Sequence, residues 1–219
     1  MRSHEGDCRL ISVDIVRIGG RQSVLTEMQK LLLVALCALA AAAVSGCAWV
    51  PQNVTLKPAP NIAPSTIGKG VTVAVLVLDK RRSPVIGHRG LDSKNAAIQT
   101  KQNVIPLFRG KIMEGLTRKG FTAVLYEGQP GRLLTVEIQR IDYTTDMEYW
   151  KGIIQTEVTL TASMIKDGAK FEQIYVGKRT ETAVEAPRAK TNEGLINGAI
   201  SDALQRLFED ERLLRYLAE

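Results

Sequence analysis

Between Ile154 and Met164 the chain alternates without a break. Ile154, Thr156, Val158, Leu160, Ala162 and Met164 fall on one side, and Gln155, Glu157, Thr159, Thr161 and Ser163 on the other. A period of two residues sends successive side chains to opposite faces of a strand, so this stretch reads as an antiparallel strand with one face on a core and one in water. It commits the chain to a sheet with apolar cover on one side. Asp167-Gly168 then predicts a tight hairpin turn into a further strand around Phe171 to Val184. Upstream, Leu134, Val136 and Ile138 alternate in the same way before the phase slips to Ile141 and Tyr143. That slip predicts a β-bulge near Gln139 and Arg140.

The remaining elements fill in around these strands. Val71 to Asp79, VTVAVLVLD, is β-branched and apolar on both faces, which marks a central strand. Its second apolar face asks for extra cover, and a second subunit would supply it. A polar loop carrying Lys80-Arg81-Arg82, Pro84, Gly87 and Gly90 follows. Asn103 can cap a helix running to Lys119, with Val104, Ile105, Phe108, Ile112 and Leu116 at helical spacing and Gly120 as its stop. Pro106 is tolerated because it falls in the first turn. Phe121 to Tyr126 reads as a short strand. Thr191 or Asn192 can cap a last helix whose buried stripe runs from Leu195 to Phe208, and a helical tail from Arg212 to Leu217 ends the chain. Leu213, Leu214 and Leu217 of that tail suit a small interaction face. The order β-α-β-β-β-β-α predicts an α+β fold in two layers: a mostly antiparallel sheet of four to five strands with two main helices on one face.

A different kind of signal precedes the domain. Leu31 to Val44 is a run of fourteen apolar residues without a charge, preceded by Lys30. Transmembrane helices need about 20 such residues, whereas the apolar core of a signal peptide runs about 7–15. Val44-Ser45-Gly46-Cys47 follows and resembles a bacterial lipobox. The resemblance implies that Val44, Ser45 and Gly46 are read by a lipoprotein signal peptidase, and that Cys47 becomes the acylated N-terminus. The competing reading is a chance run of small residues ending in a buried cysteine. A leader beginning at Met1 would carry a long n-region of mixed charge, whereas Met28 gives Met-Gln-Lys and then the apolar run. Residues 1–27 therefore read as an over-extended start, 28–46 as the signal peptide, 47–70 as a lipidated N-terminus and tether, and 71–219 as a periplasmic domain. Pro51, Pro58, Pro60 and Pro64 make residues 48–70 a semi-extended spacer in this reading. Ala48, in place of an aspartate after the cysteine, points to the inner leaflet of the outer membrane. A triacylated cysteine exceeds the two chains that stable anchoring requires.

Composition narrows the chemistry. A hydrophobic fraction of 45% in 219 residues excludes a disordered chain, and three cysteines exclude a disulfide-dense scaffold. The net charge of +6 falls only to about +5 once the leader is removed, because residues 1–46 hold five basic and four acidic residues. No nucleophile elbow, zinc-protease, phosphate-loop or paired-cysteine motif follows Cys47. His88, the single histidine of the mature chain, sits in a Gly-His-Arg-Gly loop near Asp79 and Asp92 with no nucleophile beside it. Asp142 and Asp146 are the nearest carboxylate pair, and a strand-end turn accounts for them. The sequence thus predicts no catalytic residue, no metal site and no cofactor. Lys80, Arg81 and Arg82 form the sharpest charge cluster; they suit anionic headgroups, glycan carboxylates or an acidic partner face, and equally a solvated loop. Tyr143, Met147, Tyr149 and Trp150 gather near a hairpin turn, either as a contact patch or as cover for a sheet edge. The envelope compartment argues against nucleic acid.

The order of these features resembles the YajG-type bacterial lipoproteins. The likeness lies in the box at Cys47, the strand start Gly70-Val71-Thr72-Val73 and the helix ending Leu116-Thr117-Arg118-Lys119-Gly120-Phe121. The long alternating strand over 152–165 and the helix anchored at Asn192 complete it. It implies a lipoprotein of the outer membrane facing the periplasm and brings no catalytic residues. The expected function is a non-enzymatic, lipid-anchored module that binds an envelope protein, or another copy of itself, through Lys80, Arg81 and Arg82 or through Tyr149 and Trp150. The alternative is a binding protein for a lipid or glycolipid, which would require a cavity between sheet and helices.

Overall fold

A computed structural model describes residues 30, 32–34, 51–89, 96–128, 131–148, 150–166, 169–184 and 187–219. The chain forms two compact units, Met1–Cys47 and Ala48–Glu219. In the first, Lys30 and residues 32–34 are helical and exposed. The predictions for residues 1–27 and for Val44, Ser45, Gly46 and Cys47 fall outside the described residues.

Among the described residues the second unit carries eight strands and three helices. In chain order these are β1 (Gln52–Asn53), β2 (Thr72–Asp79), β3 (Val85–His88), β4 (Ala97–Gln99), α1 (Val104–Arg118), β5 (Thr122–Leu125), β6 (Leu133–Glu148), β7 (Lys151–Lys166), β8 (Ala169–Ala183), α2 (Ala189–Glu209) and α3 (Glu211–Ala218). All the strands join one sheet. The α+β class stands, but the expected four to five mostly antiparallel strands become a larger mixed sheet. β6, β7 and β8 are antiparallel, as their alternation requires. β2 lies parallel to both β5 and β6. Helix α1 crosses over between β2 and β5, and a helical crossover returns the chain parallel to its starting strand. β1, β3 and β4 span two to four residues each, too few to show a period in sequence.

The predicted bulge is present: the β6–β7 register shifts between Ile138 and Arg140. Helix α1 begins where Asn103 Oδ1 accepts the Ile105 N–H at 3.0 Å. It ends at Gly120, whose φ of +84° turns the chain without a Cβ penalty. Val73, Val75 and Val77 of β2 face the helices and are buried, whereas Ala74, Leu76 and Leu78 lie half-buried on the opposite face of the sheet. Helix α2 starts at Ala189, three residues before Asn192. Asn192 is therefore not its cap; it is fully buried and accepts a 2.9 Å hydrogen bond from the Tyr143 hydroxyl. Leu213, Leu214 and Leu217 also depart from expectation. They complete the core instead of offering a surface, because the Asp210 carboxylate caps α3 and turns its apolar stripe inward.

The largest correction concerns the proline-rich stretch read as a tether. Residues 52–62 are docked along α2. Backbone N–H groups of Thr55, Lys57 and Ala59 donate to Glu193 Oε1 (2.7 Å), Asn197 Oδ1 (2.7 Å) and Ser201 Oγ (2.9 Å). Asn197 returns a bond from Nδ2 to the Thr55 carbonyl at 3.0 Å. Two residues of extended chain advance about 6.6 Å and four residues of helix about 6 Å, so the two ladders stay in step. Val54, Leu56 and Pro58 point the other way and are buried. Pro58 sits between the donating amides of Lys57 and Ala59, where a missing N–H costs nothing. Further on, Ser65, Gly68 and Gly70 donate to the carbonyls of Arg118, Lys119 and Gly120 and cover the end of α1.

Candidate functional site

The most built feature of the surface arises from how β6 shares one of its edges. β2 pairs with that edge as far as Asp79 opposite Ile138, and Lys80 N–H adds a last bond to the Ile138 carbonyl at 3.0 Å. β3 rejoins the edge at Gly87 opposite Tyr143. A Cβ on Gly87 would overlap the Tyr143 carbonyl, so only glycine lets β3 come this close. Residues 139–142 therefore have no strand on this side, and the bulge falls within the same stretch. The loop between β2 and β3 passes the gap, tightened where Ser83 Oγ accepts the Val85 N–H at 3.1 Å.

The result is a cleft of about 480 Å³. Lys80, Arg81, Arg82 and Arg140 line it together with Ser83, Gln139 and a single carboxylate, Asp142. The other nearby acids stand behind these cations and orient them. Asp79 grips Arg81 in a fork, with Nε on Oδ1 and Nη2 on Oδ2, both at 2.8 Å. The hydrogen bonds from Arg81 hold the Asp79 carboxyl below the usual carboxylate range, against a smaller opposing effect of burial. Arg140 bonds Thr159 Oγ1 at 3.1 Å and pairs with Glu157, which Lys178 also neutralises; Asp142 lies 3.7 Å from its Nε. The Arg81 side chain is only 9% exposed, and its Nη1 is buried without a hydrogen-bond partner. Lys80 and Arg82 are exposed, and their side chains make no ion pair among the described residues.

The structure thus unites the three cations singled out in sequence and adds Arg140, which the phase slip located but to which nothing gave a role. The aromatic group, by contrast, comes apart. Tyr143 is core: burial raises its hydroxyl pKa, and its bond to Asn192 joins a buried polar network. In that network Asn192 Nδ2 lies 2.7 Å from the Gln52 amide, which with its oxygen turned toward Arg89 accepts from Nε at 3.0 Å. Arg89 Nη2 also bonds the Pro187 carbonyl at 3.0 Å. These partners lie far apart in sequence, and no local pattern announces them. Trp150, at the turn between β6 and β7, is 65% exposed with the Lys151 ammonium 4.9 Å from its ring. Tyr149 and Asp92 fall outside the described residues. His88 is exposed at the end of β3, and Asp79 is occupied by Arg81.

Among the described residues no helix is long and apolar enough to cross a membrane, and no group of three or more His, Cys, Asp or Glu side chains could hold a metal ion. A second depression, of about 560 Å³, opens at the β5 edge against Ala74, Val124, Leu125 and Arg132.

With this fold in hand, comparison with known families gives a class. The model of the uncharacterized lipoprotein family matches residues 58–218, and the chain belongs to that family. The match agrees with the resemblance to YajG-type lipoproteins and suggests a membrane-anchored protein of the cell envelope. Among solved structures, a protein from Xanthomonas campestris is similar at 12% identity and a TM-score of 0.49, over 76% of this chain and 94% of that one. A protein from Chlamydia trachomatis is similar at 12% identity and a TM-score of 0.38, over 68% and 98%. A lipoprotein from Neisseria meningitidis is similar at 8% identity and a TM-score of 0.25, over 64% and 99%. No curated protein matched the chain.

Proposed function

We propose that the protein is a non-enzymatic binding module of the envelope, held by acylated Cys47 at the inner leaflet of the outer membrane and facing the periplasm. It docks an envelope protein at the tip of the β6–β7 hairpin. The observation that carries this reading is Trp150, a large amphipathic side chain left 65% exposed at that tip. Exposing such a ring is costly, and tryptophan is the residue most enriched at the energetic centres of protein interfaces. The docked segment supports it by limiting reach. Only four residues lie between Cys47 and Gln52, a span of at most about 18 Å, so the module works beside its membrane and partners must come to it.

A photo-crosslinking residue at Lys151, which leaves Trp150 in place, tests this in intact cells. The expected result is a discrete adduct with one other envelope protein, lost in Trp150→Ala and in Cys47→Ser. An absence of adducts contradicts the docking role. Adducts between copies of the chain alone would replace it with self-assembly.

A further inference from the structure

We infer that the cleft at the gap in the β6 edge is a binding site for a phosphate-class oxyanion. This goes beyond the docking role proposed above and does not depend on it: nothing in the cleft requires Trp150 or Cys47.

Three observations converge. The gap is built into the topology, because β2 leaves β6 after Ile138 and β3 returns only at Tyr143. Crevices of this kind, where neighbouring strands part, are where open sheets admit ligands. The lining is also lopsided in charge: Lys80, Arg81, Arg82 and Arg140 face a single carboxylate, Asp142. Finally, Arg81 is held in a way that a merely solvated loop does not explain. Asp79 occupies one edge of its guanidinium and fixes the plane, while Nη1 is buried with no partner. A buried guanidinium nitrogen left unbonded is expensive, and an anion oxygen satisfies it with a charge-assisted bond. Lys80 and Arg82 supply exposed positive charge at the rim, and Arg140, braced by Glu157 and Thr159, supplies a fixed one. Three arginines and a lysine around one site suit an oxyanion of charge near two, as phosphate monoesters carry at neutral pH. At about 480 Å³ the cleft holds a phosphate together with the group that bears it. That phosphate can belong to a lipid headgroup or to a soluble phosphorylated compound.

The test uses the full chain in non-ionic detergent, titrated calorimetrically with inorganic phosphate while chloride keeps the ionic strength constant. The expected result is saturable binding of one phosphate per chain. Lys80→Ala/Arg82→Ala should weaken it at least tenfold, and so should Arg81→Lys, which keeps the charge but loses the fork. Lys69→Ala, which removes an exposed cation elsewhere, should change nothing. If Arg81→Lys does not fold, the exposed Lys80/Arg82 pair still decides the matter. Heats that never saturate, or binding unchanged in the double variant, overturn the site. Micelles carrying phosphatidic acid, set against micelles of phosphatidylcholine, identify the source. Displacement of phosphate at a tenfold lower concentration of phosphatidic acid assigns a lipid headgroup, and equal potency assigns a soluble phosphate compound.

Discussion

Two stretches of this chain are largely irregular and contain proline, yet they have opposite fates. Residues 52–62 are docked on α2, with the amides of Thr55, Lys57 and Ala59 bonded to side chains of that helix and Val54, Leu56 and Pro58 buried. Residues 80–84 arch past a gap, with Lys80 and Arg82 left in solvent. What separates them is the alternation of Val54, Leu56 and Pro58, which provides one apolar face, against a run of cations, which provides none. Irregular backbone becomes part of a core when its apolar side chains keep a period of two and a neighbour can satisfy its amides. Without that pattern it stays at the surface, where it is free to meet a ligand.

The contrast can be broken most forcefully at Leu56. Leu56→Ala should cost about 2–5 kcal/mol, because the side chain is fully buried and the cavity can collapse only partly. Chemical denaturation measures this, and a loss below about 0.5 kcal/mol would return the segment to the status of a tether. Asn197→Ala removes a donor and an acceptor from the same ladder and should cost about 1–3 kcal/mol by the same measurement.

The loop side gives smaller effects. Because Asp79 has a lowered pKa when folded, its contribution to stability is present above the ordinary carboxylate value and is lost as pH falls through the lowered one. The melting-temperature difference between the native chain and Asp79→Asn should therefore shrink from pH 7 to pH 3; a difference that stays constant would mean that the fork with Arg81 contributes nothing. Lys80→Ala/Arg82→Ala should change stability by no more than about 0.5 kcal/mol, since both side chains are exposed and unpaired among the described residues. A larger loss would show that this loop, too, belongs to the core.

Legibility in sequence followed the strength of local periodicity. The alternation of Ile154 to Met164, the phase slip at Gln139–Arg140 and the cap at Asn103 all surface in the structure where the residues placed them. β1, β3 and β4 escaped because two to four residues carry no period, and their pairing is set by partners distant in the chain. The same cause hid the cleft. Its four cations come from two segments some sixty residues apart, so the sequence exhibits Lys80-Arg81-Arg82 but not the approach of Arg140. Asn192 shows the reverse: its residue type is favoured at helix caps, while its actual role depends on Tyr143 and Gln52.

The docked segment makes residues 52–62 part of the fold and shortens the reach from Cys47. Amide hydrogen exchange of the full chain in detergent, read at Thr55, Lys57 and Ala59, tests it directly. Protection comparable to that of the α2 amides around Asn197 and Ser201 is expected. Exchange of all three at the rate of an unstructured peptide would contradict it.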